Sequence, residues 1–148
     1  MPGSIYKTCH TKIAFLFFHS KISLEERIIE GRKLLMKGRN DLNQLLSEVL
    51  QYSMKTFGSR LDSVILYGSY ARNEADDESD IDIMILVNED AQELSSYRYA
   101  LNAFGTGLDL KYGVLTSMVL QDAETFYTWK DVLPFYKNVL EEGVKVVI

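Results

Sequence analysis

The stretch Tyr67 to Val87, YGSYARNEADDESDIDIMILV, decides the fold of this chain. Its second half predicts a strand over Asp80–Val87 that is apolar on both faces after Asp82 and therefore central in its sheet. Asp80 and Asp82 stand at the entrance of this strand, although charged side chains are costly to bury unless they are paired or bind metal. Because side chains two residues apart in a strand point to the same face, the two carboxylates could share a divalent cation, or they could be solvated residues of a strand end.

The residues just upstream have the pattern of a phosphate-binding turn. Gly68 ends a short apolar strand predicted at Ser63–Gly68, and Ser69 opens a short helix, SYARNEA. Glycine permits close approach of a ligand to the backbone, while the serine hydroxyl and the first N–H groups of a helix favour phosphate. Arg72 could add a charge-assisted contact, or could equally well pair with the acidic residues that follow it. We expect Gly68, Ser69 and Arg72 to bind a nucleotide.

Helical and strand patterns continue on both sides of this stretch. Upstream, Asp41 predicts the N-cap of a helix whose apolar residues recur at three- and four-residue steps until Phe57-Gly58. Downstream, a mostly polar helix is expected to end at the glycines of FGTG. The predicted elements after Val87 are helices at Asp90–Phe104, Asp122–Lys130 and Phe135–Glu142, a third strand at Leu108–Thr116, and a short final strand, VKVVI. This order predicts an α/β or α+β domain with helices packed against a small mixed sheet.

A third aspartate, Asp109, lies in the predicted third strand, within the apolar frame GLDLKYG. On its own, an aspartate in such a strand is more often a surface residue. If this strand neighbours the Asp80–Val87 strand, however, three carboxylates converge at one site.

The bulk properties narrow the class of protein. A chain of 148 residues fits one domain, and a net charge of -5 provides no basic field to attract nucleic acid. The longest apolar run, IAFLFF at 13–18, is too short to span a membrane, and the single cysteine is usual for a reducing compartment, so we expect a cytoplasmic protein. Residues 1–40 have weak periodicity and are interpreted as an N-terminal extension, whereas residues 41–148 are expected to form the domain. Within the extension, Ser23 is expected to open one helix, and Met36 is an alternative start of the protein.

The spacing of these motifs resembles a known signature. Gly68-Ser69, ten intervening residues, Asp80-Ile81-Asp82 and a later strand aspartate at Asp109 are similar to the pattern of the DNA polymerase beta-like nucleotidyltransferase superfamily. The string GSYARNEADDESDIDIMI is most similar to its small single-domain members, the minimal nucleotidyltransferases. One departure is Asn73, where small members often have glycine; asparagine tolerates the left-handed backbone better than most residues.

The resemblance implies an enzyme and a set of roles. Asp80 and Asp82 would hold two Mg²⁺ ions, and Asp109 would complete one of the two sites and help to activate the attacking hydroxyl. Gly68 and Ser69 would bind the nucleoside triphosphate, with ATP as the expected donor of AMP. The alternative is a non-catalytic nucleotide-binding, antitoxin or scaffold module of the same fold.

The resemblance also implies a partner. About 40 residues follow Asp109, too few for a second substrate-binding domain, so we expect the acceptor pocket to be completed by another chain or by a second copy. The small group is commonly paired with HEPN-domain toxins in toxin–antitoxin modules, where it modifies a tyrosine. An aromatic-rich tail is expected to pack in the core, unless an exposed patch marks a partner site; it comprises Phe126, Tyr127, Trp129, Phe135 and Tyr136.

Overall fold

A computed structural model describes residues 40–76 and 79–147 of the chain. Four strands form one sheet, flanked by six helices in this part of the chain. The elements are α1 Asn40–Phe57, β1 Leu61–Tyr67, α2 Gly68–Ala71, β2 Ile81–Val87, α3 Ala91–Ser95, α4 Arg98–Tyr112, β3 Thr116–Asp122, α5 Ala123–Trp129, α6 Pro134–Glu142 and β4 Val144–Lys145, with a short 3-10 turn at Gly58–Arg60. The predicted α+β architecture is confirmed, while the helix predicted from Ser23 lies outside the described residues.

The sheet has the strand order β3-β2-β1-β4 and is mixed. β2 pairs antiparallel with β1 and parallel with β3, and β4 pairs antiparallel with the far edge of β1. Residues 83–87 of β2 are fully buried and alternate between two separate cores, one on each face of the sheet. Each such side chain contributes about 2 kcal/mol of hydrophobic stabilisation, so β2 is the rigid centre that carries the aspartates at its start.

α1 covers one face of the sheet, as its periodicity predicts. The helix begins at Asn40, so Asp41 is not the predicted N-cap. It lies in the first turn, where its negative charge meets the positive end of the helix dipole. Its buried stripe includes Leu42, Leu45 and Val49.

The region after Val87 differs from the prediction in two respects. The predicted helix Asp90–Phe104 is two helices, α3 and α4, and Asp90 caps the first by accepting hydrogen bonds from the backbone N–H of Gln92 and Glu93. The glycines of FGTG do not end α4. A Cβ on the buried Gly105 would lie 3.3 Å from Thr116 Oγ1. The absence of a side chain at Gly105 therefore allows the helix to pack closely on β3.

The predicted strand Leu108–Thr116 is wrong. α4 continues to Tyr112 and ends at Gly113, which has a left-handed backbone, and the third strand is Thr116–Asp122. The physical reason is the stripe of buried Leu101, Gly105 and Leu108 at helical spacing, which extends the helix across the apparent alternation of LDLKY.

The last elements agree with the prediction. Asp122 caps α5 by accepting from the N–H of Glu124 at 2.8 Å, and α6 begins at Pro134, where a helix tolerates proline because the first turn needs no N–H donor there. None of the helices in the described residues has both the length and the apolar character needed to cross a membrane.

Candidate active site

Asp80 and Asp82 lie together at the start of the central strand. Asp82 is the second residue of β2 and is half-buried, whereas Asp80 precedes the strand and is exposed. Burial, and after it the negative charge of Asp80, raises the pKa of the Asp82 carboxyl, while the positive charge of Arg72 opposes the rise. No hydrogen bond contributes to this balance. Asp82 is therefore a partly buried carboxyl beside a second negative charge, and a bound cation would offset both effects.

Gly68 joins the Gly-Ser motif to this carboxylate pair. β1 ends at Tyr67, directly opposite Asp82 in the antiparallel register, and Gly68 follows with φ +71°. A Cβ at this position would overlap Asp82 Oδ2 and lie 3.3 Å from Asp82 Cγ. Both the backbone and the space thus require glycine, and the two motifs meet in one place as the sequence pattern indicates.

The turn after Gly68 is shorter than the predicted helix. α2 is a single turn, and Glu74 closes it by donating its backbone N–H to the carbonyl of Ser69 at 2.9 Å. Asn73 has φ 58°, the left-handed conformation expected for it as a replacement for glycine. Ser69 is half-buried within this turn.

Arg72 pairs with acidic residues, which is one of the two interpretations left open by the sequence, and its binding of a nucleotide stays a prediction. Its Nε donates to Glu74 Oε2 at 2.8 Å and its Nη1 to Glu142 Oε2 at 3.1 Å, so it is paired with an acidic residue of its own loop and with one from α6. At the same time its positive charge partly opposes the rise in the pKa of the Asp82 carboxyl. Arg72 therefore borders the site. Nothing in the sequence signals Glu142, which is 70 residues away.

Asp109 does not join the pair in the way that its predicted strand position implies. It lies in α4, and its Oδ1 accepts hydrogen bonds from Thr116 N at 2.8 Å and from Thr116 Oγ1 at 2.7 Å. The β3 residue paired with Asp82 is the exposed Ser117. Within the described ranges, no three His, Cys, Asp or Glu side chains are grouped to hold a metal ion. The strand position on which the predicted convergence of three carboxylates depended is thus wrong, because Asp109 lies in a helix, and its roles in metal binding and catalysis stay predictions.

An aromatic surface begins beside the site. The Tyr67 ring packs edge-on against the Phe135 ring with 5.6 Å between centroids, and burial and the charge of Asp82 both raise the pKa of the Tyr67 hydroxyl. The expectation of core packing for the aromatic tail holds for Phe126, which is fully buried, and not for Trp129 or Phe135, each 47% exposed. The exposed apolar side chains from the end of α5 to the start of α6 form the aromatic patch: Tyr127, Trp129, Val132, Leu133 and Phe135.

Comparison with known proteins gives the family. The sequence model of the nucleotidyltransferase domain matches residues 36–146, so the chain belongs to this family. It is 35% identical over 101 residues to "Putative protein adenylyltransferase MJ0604" of Methanocaldococcus jannaschii, an alignment that covers 66% of this chain and 90% of that protein. A second protein of that organism, "Putative protein adenylyltransferase MJ1305", is 29% identical over 106 residues, covering 72% of this chain and 71% of the relative. A third, "Putative protein adenylyltransferase MJ0141", is 39% identical over 61 residues, or 41% of this chain and 60% of the relative.

The chain is accordingly a nucleotidyltransferase with a minimal nucleotidyltransferase domain. The resemblance inferred from the Gly-Ser and Asp-x-Asp motifs is confirmed, and so is the fold. Family membership identifies the general reaction as nucleotidyl transfer.

Proposed function

We propose that this enzyme transfers AMP from ATP, with Mg²⁺, to a hydroxyl group of a protein partner, and that the acceptor is a tyrosine of a HEPN-type toxin. The observation that carries the proposal is the neighbouring carboxylates of Asp80 and Asp82, with Asp82 packed directly against Gly68. The names of the relatives, which specify protein adenylyl transfer, support the choice of AMP and of a protein acceptor.

The carboxylate pair suits Mg²⁺. Hard divalent cations prefer oxygen ligands, and Mg²⁺ is commonly held by one or two carboxylates together with substrate phosphates. Asp80 and Asp82 supply such a donor set. A cation would also offset the cost of a partly buried Asp82 carboxylate beside a second negative charge. When bound, Mg²⁺ supplies positive charge that offsets the charge of the triphosphate and of the departing pyrophosphate. The second ion expected from the sequence needs further oxygen ligands, from the nucleotide or from the acceptor.

The residues of this chain would act on the donor and on the acceptor. The acceptor oxygen attacks the α-phosphorus of ATP, a new O–P bond forms, and the bond from the α-phosphorus to the bridging oxygen breaks to release pyrophosphate. The hydroxyl proton passes to a carboxylate of the site or to water. Gly68 leaves room for a phosphate at the backbone, the Ser69 hydroxyl can donate to a phosphate oxygen, and Arg72 offers guanidinium donors.

The aromatic patch supports a protein acceptor. Exposed apolar patches mark interaction sites, and the aromatic patch includes Phe135, which contacts Tyr67 beside Asp82. We further propose that residues 41–148 form the catalytic domain, 1–40 an extension, and that the enzyme works in the reducing cytoplasm. The matched range 36–146 supports the domain boundary to within a few residues.

The test is a labelling reaction with the protein encoded beside this chain. Purified enzyme and partner are incubated with MgCl₂ and with ATP labelled either at the α- or at the γ-phosphate. We expect label from the α-phosphate alone on the partner, and a tyrosine carrying AMP in its peptide map. Label from the γ-phosphate would identify phosphoryl transfer instead, and transfer to a small molecule in the absence of any partner would exclude the protein acceptor.

A calorimetric titration separates transfer from mere binding. The enzyme is titrated with MgATP, alone and with the partner. A chain that binds MgATP and the partner without transferring AMP would be the non-catalytic module that the sequence left open as the alternative.

A further inference from the structure

Arg72 is held from two sides by carboxylates that belong to different parts of the chain. Glu74 holds Nε from the loop after α2, and Glu142 holds Nη1 from the last turn of α6. Both bonds have good hydrogen-bond distances, and the arginine side chain is 40% exposed. The bond to Glu142 is the one that ties the nucleotide-site turn to the C-terminal helix.

Glu142 occupies a position that is unfavourable for α6 itself. A helix C-terminus carries partial negative charge and favours cations, yet the last turn of α6 contains Glu141 and Glu142 and no basic residue. Glu141 has a long 3.9 Å contact with Lys137 of the same helix, whereas Glu142 reaches out of the helix to Arg72 at 3.1 Å. Exposed ion pairs contribute little to stability. The main effect of the Glu142–Arg72 pair is therefore on the position of the arginine side chain rather than on the stability of the fold.

The position of Arg72 matters because its side chain is long and borders the carboxylate pair. A free arginine loses much rotamer freedom when it binds a phosphate, and this loss weakens binding unless the side chain is ordered beforehand. The guanidinium has five N–H donors in a fixed plane, and the bonds to Glu74 and Glu142 use Nε and Nη1. The two carboxylates thus fix the orientation of the group while Nη2 remains for a phosphate oxygen.

We infer that Glu142 is a positioning residue for the nucleotide: by holding Arg72 it preorganises the guanidinium for the triphosphate. The inference rests on the proposed use of Gly68, Ser69 and Arg72 for a nucleoside triphosphate. Glu142 also has an effect that weakens nucleotide binding. Its negative charge repels the triphosphate and competes with the phosphates for Arg72. Glu142 is 42% exposed, so water and salt screen this repulsion, and preorganisation is expected to outweigh it.

The experiment compares Glu142→Gln with Glu141→Gln, which removes the same charge one residue away on the same helix. MgATP binding is measured by calorimetry on the full chain, and thermal unfolding shows that both variants fold. We expect Kd for MgATP to rise about three- to tenfold in Glu142→Gln, the scale of immobilising one long side chain, and to stay within twofold in Glu141→Gln. In the transfer reaction the KM for ATP should rise by the same factor, with kcat changed less than twofold, because the donor is bound less tightly and the chemistry is unaltered.

A double-mutant cycle shows whether Glu142 acts through Arg72. If it does, Glu142→Gln has no further effect on Kd when Arg72 is already alanine. An unchanged or tighter Kd in Glu142→Gln overturns the inference, and so does an equal loss in the Arg72→Ala background.

The outcomes also separate this inference from the proposed function. Weakened MgATP binding in Glu142→Gln, together with no transfer of AMP by the wild type, supports the inference and refutes the proposed reaction. Transfer by the wild type with equal MgATP binding in both glutamate variants refutes the inference and leaves the reaction standing. A wild type that binds no MgATP refutes both.

Discussion

Asp82 and Asp109 are two half-buried aspartates with opposite environments. Both lie near the start of the paired strands β2 and β3: Asp109 bonds Thr116, and Thr116 and its neighbour Ser117 pair with Ile81 and Asp82. Asp109 accepts two hydrogen bonds from Thr116, one from the backbone and one from the hydroxyl. The pKa of Asp82, by contrast, is set by burial and by the charges of Asp80 and Arg72, with no hydrogen bond involved.

From this difference we predict that Asp109 serves the fold and that Asp82 serves a ligand. A buried polar group that is hydrogen-bonded within the protein stabilises the fold. A buried carboxylate beside a like charge destabilises the fold until a ligand of opposite charge binds it. Asp109 thus fastens the end of α4 to the first residue of β3. We expect Asp82 to bind a cation, and Gly68 packs against it with no side chain in between.

The largest expected effect is the loss of transfer in Asp82→Asn. The amide keeps the shape of the side chain but loses the charge that would hold Mg²⁺, so transfer of AMP should fall about 1000-fold, equivalent to about 4 kcal/mol. Initial rates with α-labelled ATP measure this, and Glu93→Gln, which removes an exposed charge on α3, is the matched control. Activity within tenfold of the wild type would show that Asp82 is not part of the metal site.

The opposite side of the comparison is tested with Asp109→Ala and Asp109→Asn. A hydrogen-bond acceptor is enough to bind Thr116, whereas a metal ligand needs the charge. Asp109→Ala should therefore lower the free energy of unfolding by about 1–2 kcal/mol, while Asp109→Asn should stay near the wild type in both stability and transfer. Urea unfolding and initial rates measure the two properties. If Asp109→Asn is as stable as the wild type and loses transfer 100-fold, Asp109 acts in catalysis as the resemblance implies.

The prediction from sequence succeeded where a pattern was local and failed where it depended on packing. The Gly-Ser and Asp-x-Asp motifs and the apolar run of β2 lie within twenty residues, and they defined the fold and the family. LDLKYG alternates like a strand, but Leu108 continues the buried stripe of Leu101 and Gly105, and this stripe is visible only once α4 is packed on β3. The Arg72–Glu142 pair depends on the placement of α6 and had no signal in the sequence.

A smaller effect is expected from adding a carboxylate with Ser117→Asp. Ser117 is exposed and paired with Asp82, so its side chain lies on the same face of the sheet as that of Asp82. A third acid should lower the Mg²⁺ concentration for half-maximal transfer by about two- to fivefold, because hard cations gain affinity with the charge of their oxygen ligands. Magnesium titrations of the initial rate measure this, with Ser95→Asp on α3 as the control. An unchanged magnesium dependence would mean that position 117 does not face the cation.

The smallest effect concerns the stability of the metal-free protein at different pH values. The folded state raises the pKa of Asp82, so between the unfolded value of about 3.9 and the raised folded value it retains a proton that the unfolded chain has released. The Asp82 carboxyl therefore lowers the free energy of unfolding as pH rises through this window. This loss of stability is complete above the folded pKa. Asp82→Asn removes this deficit and should be more stable than the wild type at pH 7. The gain should be less than about 1 kcal/mol because the carboxyl is only partly buried, and no gain is expected below about pH 3.9.

Urea unfolding in EDTA at pH 3.5, 5 and 7 measures this difference. Added salt should reduce the gain in part, because it screens the repulsion from Asp80 but not the cost of burial. If Asp82→Asn is instead less stable than the wild type at pH 7, the carboxylate makes a stabilising contact within the fold. The contrast with Asp109 would then disappear, since both aspartates would serve the structure.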